Sequence, residues 1–265
     1  MTAPRQHFPA TPLVAAAGAV AVLVVVAIVA LHTGVGQRVD ERAMRTVVAG
    51  RETELTVLSL LGRVSIGAVL TVSAVCVVLA IMRGRVRLAV AALVVIVGAN
   101  LTTQLLKEVV LERSLLDVIA PNSLPSGHTT VVASAVGALL LVSPGALRLL
   151  VVVAGAFAVV ATGASTIVAG WHRPADIVAA LAVCSAWTAV GAILSGGSHR
   201  PTSGVGLASL AGAGAALVLL VAIGVRPSYG WSGFGEATVV LGATALVTAA
   251  TVFLMERISP TAAQP

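Results

Sequence analysis

The chain has 265 residues, of which 58% are apolar and only 10% charged, with a mean hydropathy of +1.06. A water-soluble domain of this length would carry about a quarter charged residues, so the composition excludes one. Nor is the formal net charge of +6 a nucleic-acid signature, because the arginines stand at the ends of apolar runs and form no basic face.

A bilayer core of about 30 Å takes roughly 20 apolar helical residues. Windows of that kind run over 13–31, 64–82, 88–106, 129–142, 147–168, 177–194, 205–223 and 237–254. The expected fold is therefore all-α, a polytopic transmembrane bundle of about eight spans, since continuous apolar runs without in/out alternation do not make a barrel. The first run is too long for a signal-peptide core and reads as a retained span. Between the first two spans, residues 38–51 read either as an interfacial helix or as a charged loop; the helix would carry Val39, Ala43, Val47 and Val48 on one face. Cys76 and Cys184 lie inside apolar runs and read as small buried hydrophobes. Tyr229, Trp231 and Phe234 share one Gly/Ser/Pro-rich loop and read as interfacial anchors.

Short loops give the topology. Arg83, Arg85 and Arg87 crowd the turn between the second and third spans, which places that turn in the cytoplasm. The turns at Arg148 and Arg200 and the tail at Arg257 then also fall inside. The segments 107–125 and 170–174 share the external side. So does 38–51, whose four arginines run against the rule.

In a chain this poor in polar residues, their clustering carries information. Pro125-Ser126-Gly127-His128 closes a polar loop and opens an apolar helix. Ser126 can cap, Gly127 lets backbone approach a ligand, and the free N–H groups of a first helical turn bind anions. His128 there can give or take a proton near neutral pH. His172 and Asp176 are four residues apart, which on a helix places them on one face. A carboxylate on one imidazole nitrogen leaves the other free to attack an electrophile. Pro174 suits the first turn of the sixth span. Lys107, the single lysine, and Arg113 lie in the same external segment, where cations beside a helix start would hold phosphate oxygens. Surface pairing with Glu108 and Glu112 is the plainer reading of those two. No carboxylate/histidine cluster has metal-ligand spacing, so no metal or other cofactor is expected.

Across 107–176 the chain resembles the type 2 phosphatidic acid phosphatase family, related to the vanadium haloperoxidases, whose signature is K-x6-R-P, P-S-G-H and S-R-x5-H-x3-D. The second part is matched in full by Pro125 to His128, and the end of the third by His172 and Asp176, with Ser165 at its serine. The resemblance implies a six-helix core and a nucleophile at His172, oriented by Asp176. It makes His128 the general acid and Lys107, Arg113, Ser126 and Gly127 the phosphate contacts. Three departures stand in the same residues. Five residues, not six, separate Lys107 from Arg113, which on an unbroken helix would point the two apart. Ser114 replaces a proline, and Thr166 stands where the family has arginine. Arg173, beside the proposed nucleophile, is the candidate to supply that missing cation.

The expected protein is thus a metal-independent phosphatase of a membrane lipid phosphate or diphosphate, such as a polyprenyl diphosphate or phosphatidate. It would work through a phosphohistidine at the external face of a plasma membrane. Thr166 keeps open a non-catalytic lipid-phosphate binder or transporter, and transfer of the phosphoryl group to another acceptor is a third reading. Residues 1–198 would form the phosphatase-like core and 199–265 two further spans of the same membrane domain. Heavy use of arginine, alanine, valine and glycine fits a GC-rich bacterial source.

Overall fold

The computed structural model describes residues 10–63, 66–112, 122–196 and 202–260. In chain order they form α1 (Ala10–His32), α2 (Gly34–Met44), β1 (Val47–Ala49), α3 (Arg51–Arg63), α4 (Ile66–Met82) and α5 (Val86–Leu105). A single π-helical turn (Leu106–Val110) extends α5, and α6 (Gly127–Val142), α7 (Gly145–Val168), α8 (Pro174–Ser195) and α9 (Val205–Ala222) follow. The chain ends in β2 (Val225–Pro227), a 3-10 turn (Gly230–Gly233) and α10 (Phe234–Ile258).

The protein is a polytopic membrane helix bundle. Among the described residues six helices are long and apolar enough to cross a bilayer, namely α1, α5, α7, α8, α9 and α10. The two remaining apolar windows form the shorter helices α4 and α6.

The burial pattern departs from that of a soluble bundle. Alongside large side chains such as Leu140, Ile177 and Leu181, the buried faces carry many small residues: Ala91, Ala92 and Ala99 on α5, Ala156 and Ala164 on α7, Ala179, Ala180 and Ala189 on α8. Large side chains such as Leu70, Ile81, Leu207, Val218, Val239 and Leu246 point outward. Lipid is as apolar as leucine, so burial of large side chains does not drive helix association there, and close backbone approach does. Abundant alanine and glycine serve that purpose. A Cβ on Gly212 of α9 would run into the backbone of Val153 on α7. Gly212→Leu is therefore expected to lower stability by about 1–3 kcal/mol, read as an earlier unfolding transition in detergent.

Helix α8 is the centre of the arrangement and packs on α1, α5, α6 and α10, while α7 packs on α6 and α9. The last two helices lie against α7 and α8, and their Val205, Leu220, Leu241, Val252 and Met255 join the same buried cluster as Val159 and Leu181.

Two elements differ from the sequence reading. Residues 38–51 are neither one helix nor a loop. Helix α2 ends at Met44, and Val47 and Val48 belong to β1, which pairs antiparallel with β2 through Val47 and Pro227. Val39 on α2 is exposed whereas Gln37 and Asp40 are buried, so the polar face of α2 turns toward the protein. Helix α3 has no counterpart among the predicted elements. It buries Val57 and Leu61, one turn apart, over a helix too polar for a span. Arg148, in the first turn of α7, is wholly buried and pairs with Glu256 at 3.1 Å.

Candidate active site

The two polar segments singled out in the sequence meet at one end of the bundle. The first is the loop that feeds α6. The Asn122 side-chain amide donates to Leu111 O (2.8 Å) and Leu124 O (3.2 Å), tying the loop to the end of the π turn. The backbone N–H of Ser126 donates to Asp176 O at 2.9 Å. Ser126 is the N-cap of α6, its Oγ accepting from Thr129 N at 3.4 Å. The first N–H groups of a helix have no partner within it, and here they belong to Gly127 and His128.

The second segment joins α7 to α8. Thr166 O accepts from the backbone N–H groups of both Trp171 and His172, at 3.0 and 3.2 Å, and Gly170 takes a positive φ of 68° to make this turn. Pro174 occupies the first position of α8 and Arg173 its N-cap, in extended conformation. A residue before proline is disfavoured in helical geometry, so His172 lies outside the helix and not on its face. The expected shared helical face is replaced by a cap. Asp176, at the third helical position, reaches back to the N–H of Arg173 (3.0 Å) and to Nδ1 of His172 (3.1 Å). The proximity survives for a different reason than spacing on a helix.

Asp176 is wholly buried, and its Oδ2 also accepts from the Ser123 hydroxyl at 2.6 Å. Three donors therefore converge on one carboxylate oxygen. With its Nδ1 on that oxygen, His172 is held by ring and backbone alike, and its other nitrogen is the one left for chemistry. The rings of His172 and His128 stand 6.4 Å apart, centroid to centroid, and Trp171 lies 5.5 Å from His128. Lys107, in the π turn, is near enough for its charge to bear on the His128 ring. Helical geometry stops at Leu111, whose backbone is extended, so the unbroken helix that would point Arg113 away from Lys107 is interrupted between them. Arg113 itself lies outside the described residues.

Thr166, at the position of the family arginine, is buried and its Oγ1 donates to Gly163 O (2.7 Å) within its own helix. Arg173 is the buried cation nearest the dyad, and two of its donors are taken: Nε by Glu41 Oε2 (2.8 Å) and one terminal nitrogen by Ser123 Oγ (3.2 Å).

Three contributors were missed in the sequence. Ser123 stands in the polar run but has no motif to mark it. Asp40 accepts from Ala175 N at 2.9 Å, and Glu41 holds Arg173; neither has a motif to mark it. The available signal was two adjacent acids in a chain with ten acidic residues in all, but nothing local says what they face.

The sequence model of the PAP2 superfamily matches residues 88–199, from just inside α5 through the end of α8, which suggests membership of that superfamily. No curated protein and no solved structure matches the chain.

Proposed function

We propose that this membrane protein hydrolyses a phosphomonoester or diphosphate of a membrane lipid, with His172 as nucleophile. The observation that carries the reading is the buried His172–Asp176 pair facing His128 across the start of α6. In the first step the free ring nitrogen of His172 attacks phosphorus and the bond to the lipid oxygen breaks. His128 gives its proton to that oxygen. Asp176 keeps the Nδ1 proton in place and offsets the positive charge on the substituted ring. In the second step water attacks the phosphohistidine, His128 takes a proton from it, and His172 leaves as the neutral base. Lys107, the amides of Gly127 and His128, Ser126 and Arg113 are the proposed contacts of the non-bridging oxygens.

The lipid tail would lie in the bilayer with the headgroup at the mouth of the bundle. Arg83, Arg85 and Arg87 between α4 and α5 argue that this mouth is external, on the outer face of a plasma membrane. Polyprenyl diphosphates and phosphatidate are the first substrates to try.

The test is phosphate release from a panel of lipid mono- and diphosphates by purified protein in detergent, with and without EDTA. Release that EDTA leaves unchanged is the expected result. Saturable binding of the same lipids with no release would favour a binder in which Thr166, bonded to its own helix, has removed a needed cation. Appearance of the phosphoryl group on an added alcohol instead of water would favour a transferase.

A further inference from the structure

We propose that Glu41 is a positioning residue for the dyad: its carboxylate holds the Arg173 guanidinium away from Asp176, so that Asp176 stays with His172. The inference rests on His172 and Asp176 being the working pair.

The argument starts from where Arg173 sits. Its backbone N–H already bonds Asp176 Oδ2, and a terminal nitrogen bonds the Ser123 Oγ whose hydroxyl bonds that same oxygen. The guanidinium is thus one hydrogen bond from the catalytic carboxylate. It is also buried, with its side chain 4% exposed, and a buried cation takes whatever carboxylate it can reach. Glu41 gives it another, at 2.8 Å. Without that partner the guanidinium is still linked through Ser123 to the Asp176 carboxylate, and a planar fork of donors would compete with a single imidazole N–H for it. With Glu41 in place, Arg173 instead donates to Ser123. The Ser123 hydroxyl proton must then point to Asp176, which adds to the orientation of Oδ2.

Glu41 is itself held where this requires. Thr33 caps α2, and Gln37 donates to Leu31 O at 2.5 Å. Arg45 donates to Glu41 at 2.8 Å, and the Ser228 N–H and hydroxyl bond Thr46 O and Arg45 O at 2.9 and 2.6 Å. Through Ser228 and the β1–β2 pair, the connection between α9 and α10 braces α2. Burial works to raise the Glu41 pKa, but hydrogen bonds and charge from Arg173 and Arg45 outweigh it and hold the carboxyl below its ordinary range. It is therefore ionised at neutral pH. Helix α2 lies outside the residues that match the superfamily.

The test compares wild type, Glu41→Gln and the double variant Glu41→Gln/Arg173→Met in the phosphate-release assay. Glu41→Gln is expected to lower kcat by about tenfold to a hundredfold with KM within about twofold. The double variant, lacking the competing cation, is expected to recover part of that loss. A double variant as slow as or slower than the single one would overturn the proposal and make Arg173 a direct phosphate contact. An unchanged kcat in folded Glu41→Gln would overturn it as well. Should that variant fail to fold, Glu41→Ala, on an exposed-edge helix that tolerates alanine, is read in the same way.

A second readout does not need turnover, and so separates failure of this inference from failure of the phosphatase reading. With Asp176 captured by Arg173, the His172 Nδ1–H should lose its carboxylate acceptor, so the downfield signal of that ring proton, followed by NMR in labelled protein, should move upfield in Glu41→Gln. An unmoved signal would sink the idea even if no lipid substrate were found.

Discussion

Replacing His172 by alanine is expected to lower lipid-phosphate hydrolysis by at least about a thousandfold while leaving the protein folded. The loss should fall on kcat, because the ring forms its bond to phosphorus only as reaction proceeds. In the proposed mechanism Lys107, Arg113 and the start of α6 would grip the phosphate, so binding of a substrate-like lipid should persist in the variant. Folding should survive because the backbone of this turn is held independently of the ring, through Thr166 O and the Pro174 start of α8. The imidazole is bonded to a carboxylate that keeps two other donors, Ser123 and the Arg173 amide. Acid-quenched wild-type protein should carry a heat- and acid-labile phosphoryl group that the variant lacks. Retained turnover in His172→Ala would remove the nucleophile from the proposed mechanism.

Arg148→Met is expected to destabilise the bundle by about 3–5 kcal/mol without touching the chemistry, because it breaks a buried charge pair from one side. Arg148 and Glu256 are both wholly enclosed, at 0% side-chain exposure. Besides Glu256, the guanidinium donates to Leu140 O (3.2 Å), Ser259 O (3.1 Å) and Pro260 O. These carbonyls lie near the C-terminal ends of α6 and α10, where helices leave acceptors unfilled and favour cations. One side chain at the start of α7 therefore ties three helix ends together. Losing it strands the Glu256 carboxylate in an enclosed site and frees three acceptors. Replacing both members, as in Arg148→Met/Glu256→Leu, should recover most of the loss, since an apolar pair of similar volume is often no worse than a buried ion pair. Unfolding in detergent, measured for the two singles and the double, gives the coupling. A cost near zero for Arg148→Met would mean that water reaches Glu256.

The two results are expected to separate cleanly. His172 lies at the polar mouth and Arg148 at the opposite end of α7, so loss of turnover and loss of stability should not follow one another.

Much of this protein follows from short-range pattern. Runs of about 20 apolar residues must become helices in a bilayer, because no other structure satisfies every backbone group within one segment. The windows at 13–31, 88–106, 147–168, 177–194, 205–223 and 237–254 each became a long helix. Pro125 to His128 as a helix opening was legible for a similar reason, since a cap and its free amides are set by residues within one turn. The closeness of His172 to Asp176 was legible too, although the physical reason was wrong. Four residues suggested a shared helical face, whereas Pro174 moved His172 out of the helix and the carboxylate reached back as a cap.

What the tertiary structure decided lies where partners are far apart in sequence. Glu41 and Arg173 are 132 residues apart, Arg148 and Glu256 108, Ser123 and Asp176 53. A charged side chain in a membrane protein is costly until it finds a partner, but its own neighbours do not say which one. The sequence showed that Arg148, Asp40 and Glu41 are polar but not which residues face them, because hydropathy registers polarity and not what packs on it. The chain's amino acids therefore determined that it is a membrane helix bundle with histidines at one mouth. Only the folded arrangement of α2, α7, α8 and α10 decided which charges neutralise each other, because that depends on which helices touch.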